Sequence, residues 1–116
     1  MRHYELLDER TVDGFRVVID KTWEDIDPWD SLSECFDDRK QLYADIDSCK
    51  YDWFMLRVRA LFDGNEMGCA YLGGCLYEDA RDVLTDGTAE DMIAEAVGEA
   101  KAYARQLREK LETLTV

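Results

Sequence analysis

The chain contains one histidine, one proline and no Cys-x-x-Cys pair, and each scarcity removes a class of chemistry. A serine or cysteine nucleophile ordinarily needs a nearby base, most often an imidazole, and His3 is the sole candidate, at the edge of the chain. Cys35, Cys49, Cys69 and Cys75 are separated by 14, 20 and 6 positions, a spacing that matches no zinc site. With no basic leader running into an apolar stretch, the thiols are expected to stay reduced as small hydrophobes. No run approaches the ~20 apolar residues of a membrane span, so no membrane association is expected and the location expected is cytoplasmic. Neither GxxxxGK[ST] nor GxGxxG occurs. The one glycine pair, Gly73-Gly74 in YLGGCLY, has no lysine beside it to meet a phosphate.

What is abundant is acid. The 116 residues carry 27 Asp and Glu against 14 Lys and Arg, a net charge of -13, while 47% hydrophobic residues are enough to bury a core. One domain spanning residues 1–116 is expected. Affinity for phosphates comes from clustered lysine and arginine, so direct nucleic-acid binding is disfavoured. Adjacent carboxylates such as Glu24-Asp25 and Asp37-Asp38 carry little catalytic information among so many acids. The run Asp25 to Asp30 has tryptophan at its fifth position and no glycine at its sixth, which fails the EF-hand pattern. No metal or other cofactor is expected.

Alternation predicts strands over residues 3–10 and 14–23 around Asp13-Gly14, with Phe15, Val17 and Ile19 on the core side. Residues 23–29 read as a loop, since Pro28 forbids a central strand. Ser31 and Glu34 fit a capping box, with Leu32, Cys35 and Phe36 on the apolar side. Asp37 or Asp38 fits equally as the cap of a turn set carrying Leu42, Tyr43 and Ile46. A strand over residues 53–62 buries Phe54, Leu56, Val58 and Ala60 and turns Arg57 and Arg59 outward with Arg16. Asp63-Gly64-Asn65 returns it as a strand over about 66–72, and the glycine pair permits a bulge or bend where that strand leaves the sheet.

A short helix over 77–84 is expected next. Thr88 then caps a long helix whose stripe runs through Met92, Ile93, Ala96, Val97, Ala100, Tyr103, Ala104, Leu107, Leu111 and Leu114. Over some 27 residues it would be roughly 40 Å long, against a radius of gyration of about 13 Å for a compact domain of this size. Its last turns, around Leu107, Leu111 and Leu114, therefore either fray or form the seam of a homodimer. The fold class expected is α+β: a four-stranded antiparallel sheet from two hairpins, a short central helical segment, and a long C-terminal helix on one face.

The acidity is uneven. Residues 1–20 sum to -2, 21–52 to -6, 53–77 to zero and 78–116 to -5. Duplex DNA carries one charge per ~1.7 Å, so a domain roughly 35 Å across would cover about 20 phosphates, a number comparable with the acids present here. The densest stretch surrounds Trp23 and Trp29 with Glu24, Asp25, Asp27, Asp30, Glu34, Asp37 and Asp38. It is the candidate partner-binding face, an aromatic anchor ringed by charge. The alternative is that the tryptophans plug the core and the acids form a solvated face.

The segments WFMLRVRA (53–60), GNEMGCAYLGGCLY (64–77) and GTAEDMIAEA (87–96) resemble a group of small acidic accessory proteins of tailed phages and prophages, with a weaker echo in GFRVVIDKTWEDI. The resemblance implies a size and charge similar to those of anti-CRISPR and anti-restriction inhibitors. Together these readings point to a non-enzymatic inhibitor acting in a host bacterial cytoplasm. Its partner would be a host defence complex, a CRISPR effector or another DNA-binding protein, engaged through an acidic, DNA-mimicking surface. A small dimeric adaptor or structural phage protein is the alternative, and an enzyme using Cys69 or Cys75 beside the glycine pair is the least favoured reading.

Overall fold

Two Asp-Gly pairs turn the chain in the same way. Asp13 and Gly14 have φ of 51° and 86°, and Asp63 and Gly64 have φ of 52° and 78°. Positive φ at both central residues is the type I′ geometry that matches strand twist, which places the hairpins where they are. The computed structural model describes residues 2–115. β1 (Glu5–Val12) pairs with β2 (Phe15–Trp23), and β3 (Asp52–Phe62) with β4 (Asn65–Tyr77). The two hairpins join through β2 and β3 into one antiparallel sheet of order β1-β2-β3-β4. Between β2 and β3 the chain makes an excursion containing α1 (Pro28–Leu32) and α2 (Arg39–Asp47). After β4 come a 3-10 turn (Ala80–Leu84) and α3 (Thr88–Glu112), which packs on one face of the sheet. The architecture is the α+β class expected.

Local boundaries differ from the sequence reading for identifiable reasons. The first strand runs over Glu5–Val12 rather than 3–10, because a two-residue turn requires Val12 to pair directly with Phe15. β4 does not stop at Leu72. It bulges at the glycine pair, where Gly73 and Gly74 of β4 face the single residue Met55 of β3, and continues to Tyr77, which pairs with Asp52 and so is not helical. The first helix begins at Pro28, which suits the first helical position, and Asp27 caps it by accepting the Trp29 N–H at 2.9 Å. Ser31 therefore lies inside α1 instead of capping a helix. Asp38 caps α2 through the Lys40 N–H at 2.9 Å, and Leu42 is fully buried. Thr88 is the first residue of α3, not its cap. Gly87, at φ 95°, occupies the cap position and Asp86 Oδ1 accepts the Thr88 N–H at 2.9 Å.

The core is the helix-facing side of the sheet. Val17, Ile19, Leu56, Val58 and Ala60 are inaccessible there, packed against Ala89, Met92, Ile93, Ala96, Val97 and Ala100. Contact is closest at Gly68, where a Cβ would sit 2.7 Å from the Ala100 nitrogen and closer still to the Ala96 oxygen. Only glycine admits α3 at that distance from the sheet.

On the opposite face Asp20 is buried between two strands. It accepts two bonds from Arg57, at 2.8 and 2.6 Å, and lies 3.5 Å from Arg59. Tyr4 covers the Arg57 guanidinium at 3.4 Å. The outward face assigned to Arg57 and Arg59 is correct, yet register converts both into partners of Asp20, while Arg16 stays at the surface paired with Glu9.

The molecule measures 64 × 27 × 23 Å with a radius of gyration of 17.7 Å. The excursion extends it at one end of the sheet. The last turns of α3 extend it at the other, beside the hairpin turns. No helix among the described residues is long and apolar enough to cross a membrane.

Candidate acidic interface

The excursion is anchored to the sheet at its start. Glu24 Oε2 accepts the Gly74 N–H at 2.9 Å and Glu24 Oε1 accepts the Ile26 N–H at 3.2 Å. Gly74 has φ 68°, and a Cβ on Gly73 would come within 2.8 Å of the Glu24 carboxylate. The glycine pair of YLGGCLY is thus the seat for one carboxylate 50 positions away. Trp53 closes over Gly74 and donates its indole N–H to the Ile26 carbonyl at 2.9 Å. At the other end Phe36 meets Tyr51 edge-on, with ring centroids 6.3 Å apart.

Within the excursion the nine candidate residues divide into two groups. Glu24 is held on the glycine turn. Asp25 is paired with Arg2 and accepts the Trp23 indole N–H at 2.9 Å. Asp27 caps α1 and also accepts the Tyr43 hydroxyl, with Arg39 3.6 Å away. The Tyr43 hydroxyl, then the Trp29 N–H and Arg39, hold the Asp27 carboxyl below its ordinary range, and Asp27 in turn raises the Tyr43 phenol. Asp38 caps α2. Asp30, Glu34 and Asp37 are exposed and form no hydrogen bond or ion pair among the described residues. Trp23 is 48% exposed under the Arg2 guanidinium, 5.1 Å from its ring centroid, and Trp29 is half-buried. Four carboxylates therefore shape the excursion, and three face solvent.

Topology adds a second acidic stretch. β4 leaves the sheet at the end where the excursion begins, and residues 78–91 hold six acids and one arginine. The excursion, residues 24–51, holds nine acids and three bases. Together they sum to -11 of the net -13, with Asp25 paired to Arg2 and Glu90 to Arg10 of β1, both arginines lying outside the two stretches. The excursion and the 78–91 stretch share a cavity of about 610 Å³, lined by Ile46, Cys49 and Tyr51 of the first and Glu78, Asp79 and Arg81 of the second, together with Lys21. Lys21 pairs with Asp52 there and lies 3.6 Å from Glu5. Residues 101–112, at the far end of the molecule, hold four bases and two acids. The charge is polarised along the long axis.

Sequence reading selected the excursion but missed its organisers: Arg2, Tyr43 and Trp53, and the whole 78–91 stretch. Tyr43 and Trp53 carried a signal, being aromatic with a polar atom that needs a partner. The approach of 78–91 carried none that a linear reading could use.

The cysteines offer little chemistry. Cys35 and Cys49 are exposed, and Cys75 is buried with its thiol donating to the Leu72 carbonyl at 3.5 Å. Burial pushes the Cys75 thiol up to about 11, and burial with nearby glutamates raises Cys69. A thiol held protonated is a weak nucleophile at neutral pH. No group of three His, Cys, Asp or Glu side chains among the described residues is placed to hold a metal ion. Comparison with protein-family models, curated proteins and solved structures finds no match.

Proposed function

We propose that the chain is a non-enzymatic inhibitor of a bacterial defence complex, binding a nucleic-acid-binding protein, foremost a CRISPR effector, through its acidic end. The observation that carries this reading is the convergence of -11 of the net charge on two stretches that leave the same end of the sheet. A cleft built for phosphates carries clustered lysine and arginine, and a concentrated negative field steers association with it. Asp30, Glu34 and Asp37 are exposed carboxylates without a hydrogen bond or ion pair among the described residues, with Arg39 acting on Asp30 only at longer range, and Trp23 is an accessible aromatic at the root of the same excursion. Competition with DNA follows from occupying the same cleft.

The test is a titration of the purified protein into a guide-loaded CRISPR effector bound to fluorescently labelled duplex, at low, physiological and high salt. Displacement that weakens as salt rises supports the reading, because the competing charges are screened beyond about 8 Å at physiological ionic strength. Inhibition indifferent to salt, or no displacement from any candidate effector, contradicts it. Capture on tagged protein from a lysate of a bacterium carrying several defence systems, followed by mass spectrometry, identifies which complex to use.

A further inference from the structure

At the end of the molecule remote from the acids, α3 outruns the sheet. Its apolar stripe is buried through Ala100 and then continues uncovered, with Leu107 38%, Leu111 53% and Leu114 60% exposed. Beside it Phe62, at the tip of the second hairpin, is 58% exposed. Phe15, Phe62, Met67, Ala104, Leu107 and Leu111 line an open groove of about 490 Å³ between the helix end and the hairpin turns. Exposed leucines at helical spacing beside an apolar trough are a helix-in-groove arrangement without its second helix.

The chemistry of the rim selects the occupant. The hairpin side contributes Asp13 to the groove and Asp63 and Glu66 to the cavity adjoining it, whereas the helix side carries Lys101, Arg105, Arg108 and Lys110 against Glu109 and Glu112. Lys101 already pairs with Asp13 at 2.6 Å within one chain, so this complementarity operates locally. An apolar groove whose hairpin side is acidic fits an apolar helix of net positive charge, and this protein presents both.

We propose that two copies associate reciprocally about a two-fold axis, each laying its 101–113 helix end into the groove of the other. Two molecules of net charge -13 repel over most of their surfaces, whereas the net positive 101–112 stretch meets the acidic hairpin turns of a second copy without that penalty. Thirteen residues give about 20 Å of helix. The apolar half of such a helix, itself one wall of the groove, is roughly 300 Å², and with the hairpin wall added the pair falls below the standard size of stable interfaces. Micromolar self-association is therefore expected. This inference is independent of the inhibitor reading, since it uses the opposite end of the molecule.

Sedimentation equilibrium from about 1 to 500 µM tests it, with far-UV circular dichroism verifying that each variant is folded. The wild type forms a dimer with a dissociation constant of about 1–100 µM. Leu107→Asp with Leu111→Asp, and separately Phe62→Asp, each weaken it by at least 30-fold. Phe62 is the discriminating site, because it lies on the sheet and no helix-on-helix seam needs it. Arg105→Glu with Arg108→Glu, surface changes that leave the core intact, weaken the dimer about tenfold, and Asp63→Lys with Glu66→Lys in the same chain restore it. A wild type that stays monomeric to 500 µM overturns the proposal, as does a dimer indifferent to Phe62→Asp or a charge reversal without rescue.

Discussion

The two ends of this molecule are built on opposite principles. The excursion end is polar: α1 has no buried residue, α2 buries only Leu42, and the chain there is held by carboxylates accepting N–H and O–H bonds. The hairpin end is apolar, with aromatic and leucine side chains exposed and a helix that outlasts its support. Shape at the first comes from hydrogen bonds that hold some of its carboxylates in place while leaving them charged, and its other acids face solvent. Shape at the second comes from packing that stops short, so surface is left over. One sheet, with α3 across it, holds both.

The strongest way to break this arrangement is to remove the scaffold common to the two ends. Gly68→Val drives a side chain into the Ala96 and Ala100 backbone and should cost about 3 kcal/mol or more, lowering Tm by roughly 10 °C in thermal denaturation. Next comes Asp20→Ala, which leaves Arg57 and Arg59 without their shared carboxylate in a largely buried site. A loss of about 3 kcal/mol in urea unfolding is expected. Both changes act on the middle of the molecule and should loosen the two ends together.

Smaller changes separate the ends. Glu24→Ala releases the excursion from the glycine turn and should cost about 1 kcal/mol globally, while making the 24–51 segment at least tenfold more susceptible to limited proteolysis and leaving the hairpin end protected. Acid acts in the same direction. The folded pKa of Asp27 is depressed below its unfolded value of 3.8, so its contribution is complete above that value and is lost as pH falls through the folded one. Protection of the α1 and α2 amides against hydrogen exchange, taken relative to the unstructured-peptide rate at each pH, should fall as the pH drops below 3.8, before protection in β2 and β3 does, and Tyr43→Phe should move that loss to higher pH.

The smallest effect concerns the thiols. Cys35 and Cys49 should react with a maleimide within minutes, Cys69 more slowly, and Cys75 only on unfolding, as read by mass spectrometry of labelled peptides. Rapid labelling of Cys75 in the folded protein would contradict the packing of β4 beyond its bulge.

How much of this was legible in the sequence follows from the range of each interaction. Strand alternation and the two Asp-Gly turns are local, and they yielded the sheet and its covered face. The amphipathic stripe yielded α3 and its overhang, because 1.5 Å per residue makes a 25-residue helix longer than the sheet is deep. The glycine pair was correctly associated with a bulge, while its use as a seat for Glu24 depended on a contact across 50 positions. Similarly, Arg57 and Arg59 were placed on the correct face, but only the register that sets Asp20 opposite Arg57 shows that their charge is neutralised within the sheet. At the candidate site, composition located the acidic excursion. It did not separate the acids that fold it from those that face solvent, because a capping aspartate and a free one look alike in a string of residues.

The central claim is that charge at one end, rather than net charge, does the binding. Its most direct measurement compares two variants of equal net charge in displacement of labelled duplex from a guide-loaded effector. One is Asp30→Asn, Glu34→Gln, Asp37→Asn, and the other is Glu95→Gln, Glu99→Gln, Glu109→Gln on α3. The account predicts at least a tenfold loss of inhibition in the first variant and less than a twofold change in the second. Equal losses in both, or none in either, would contradict it.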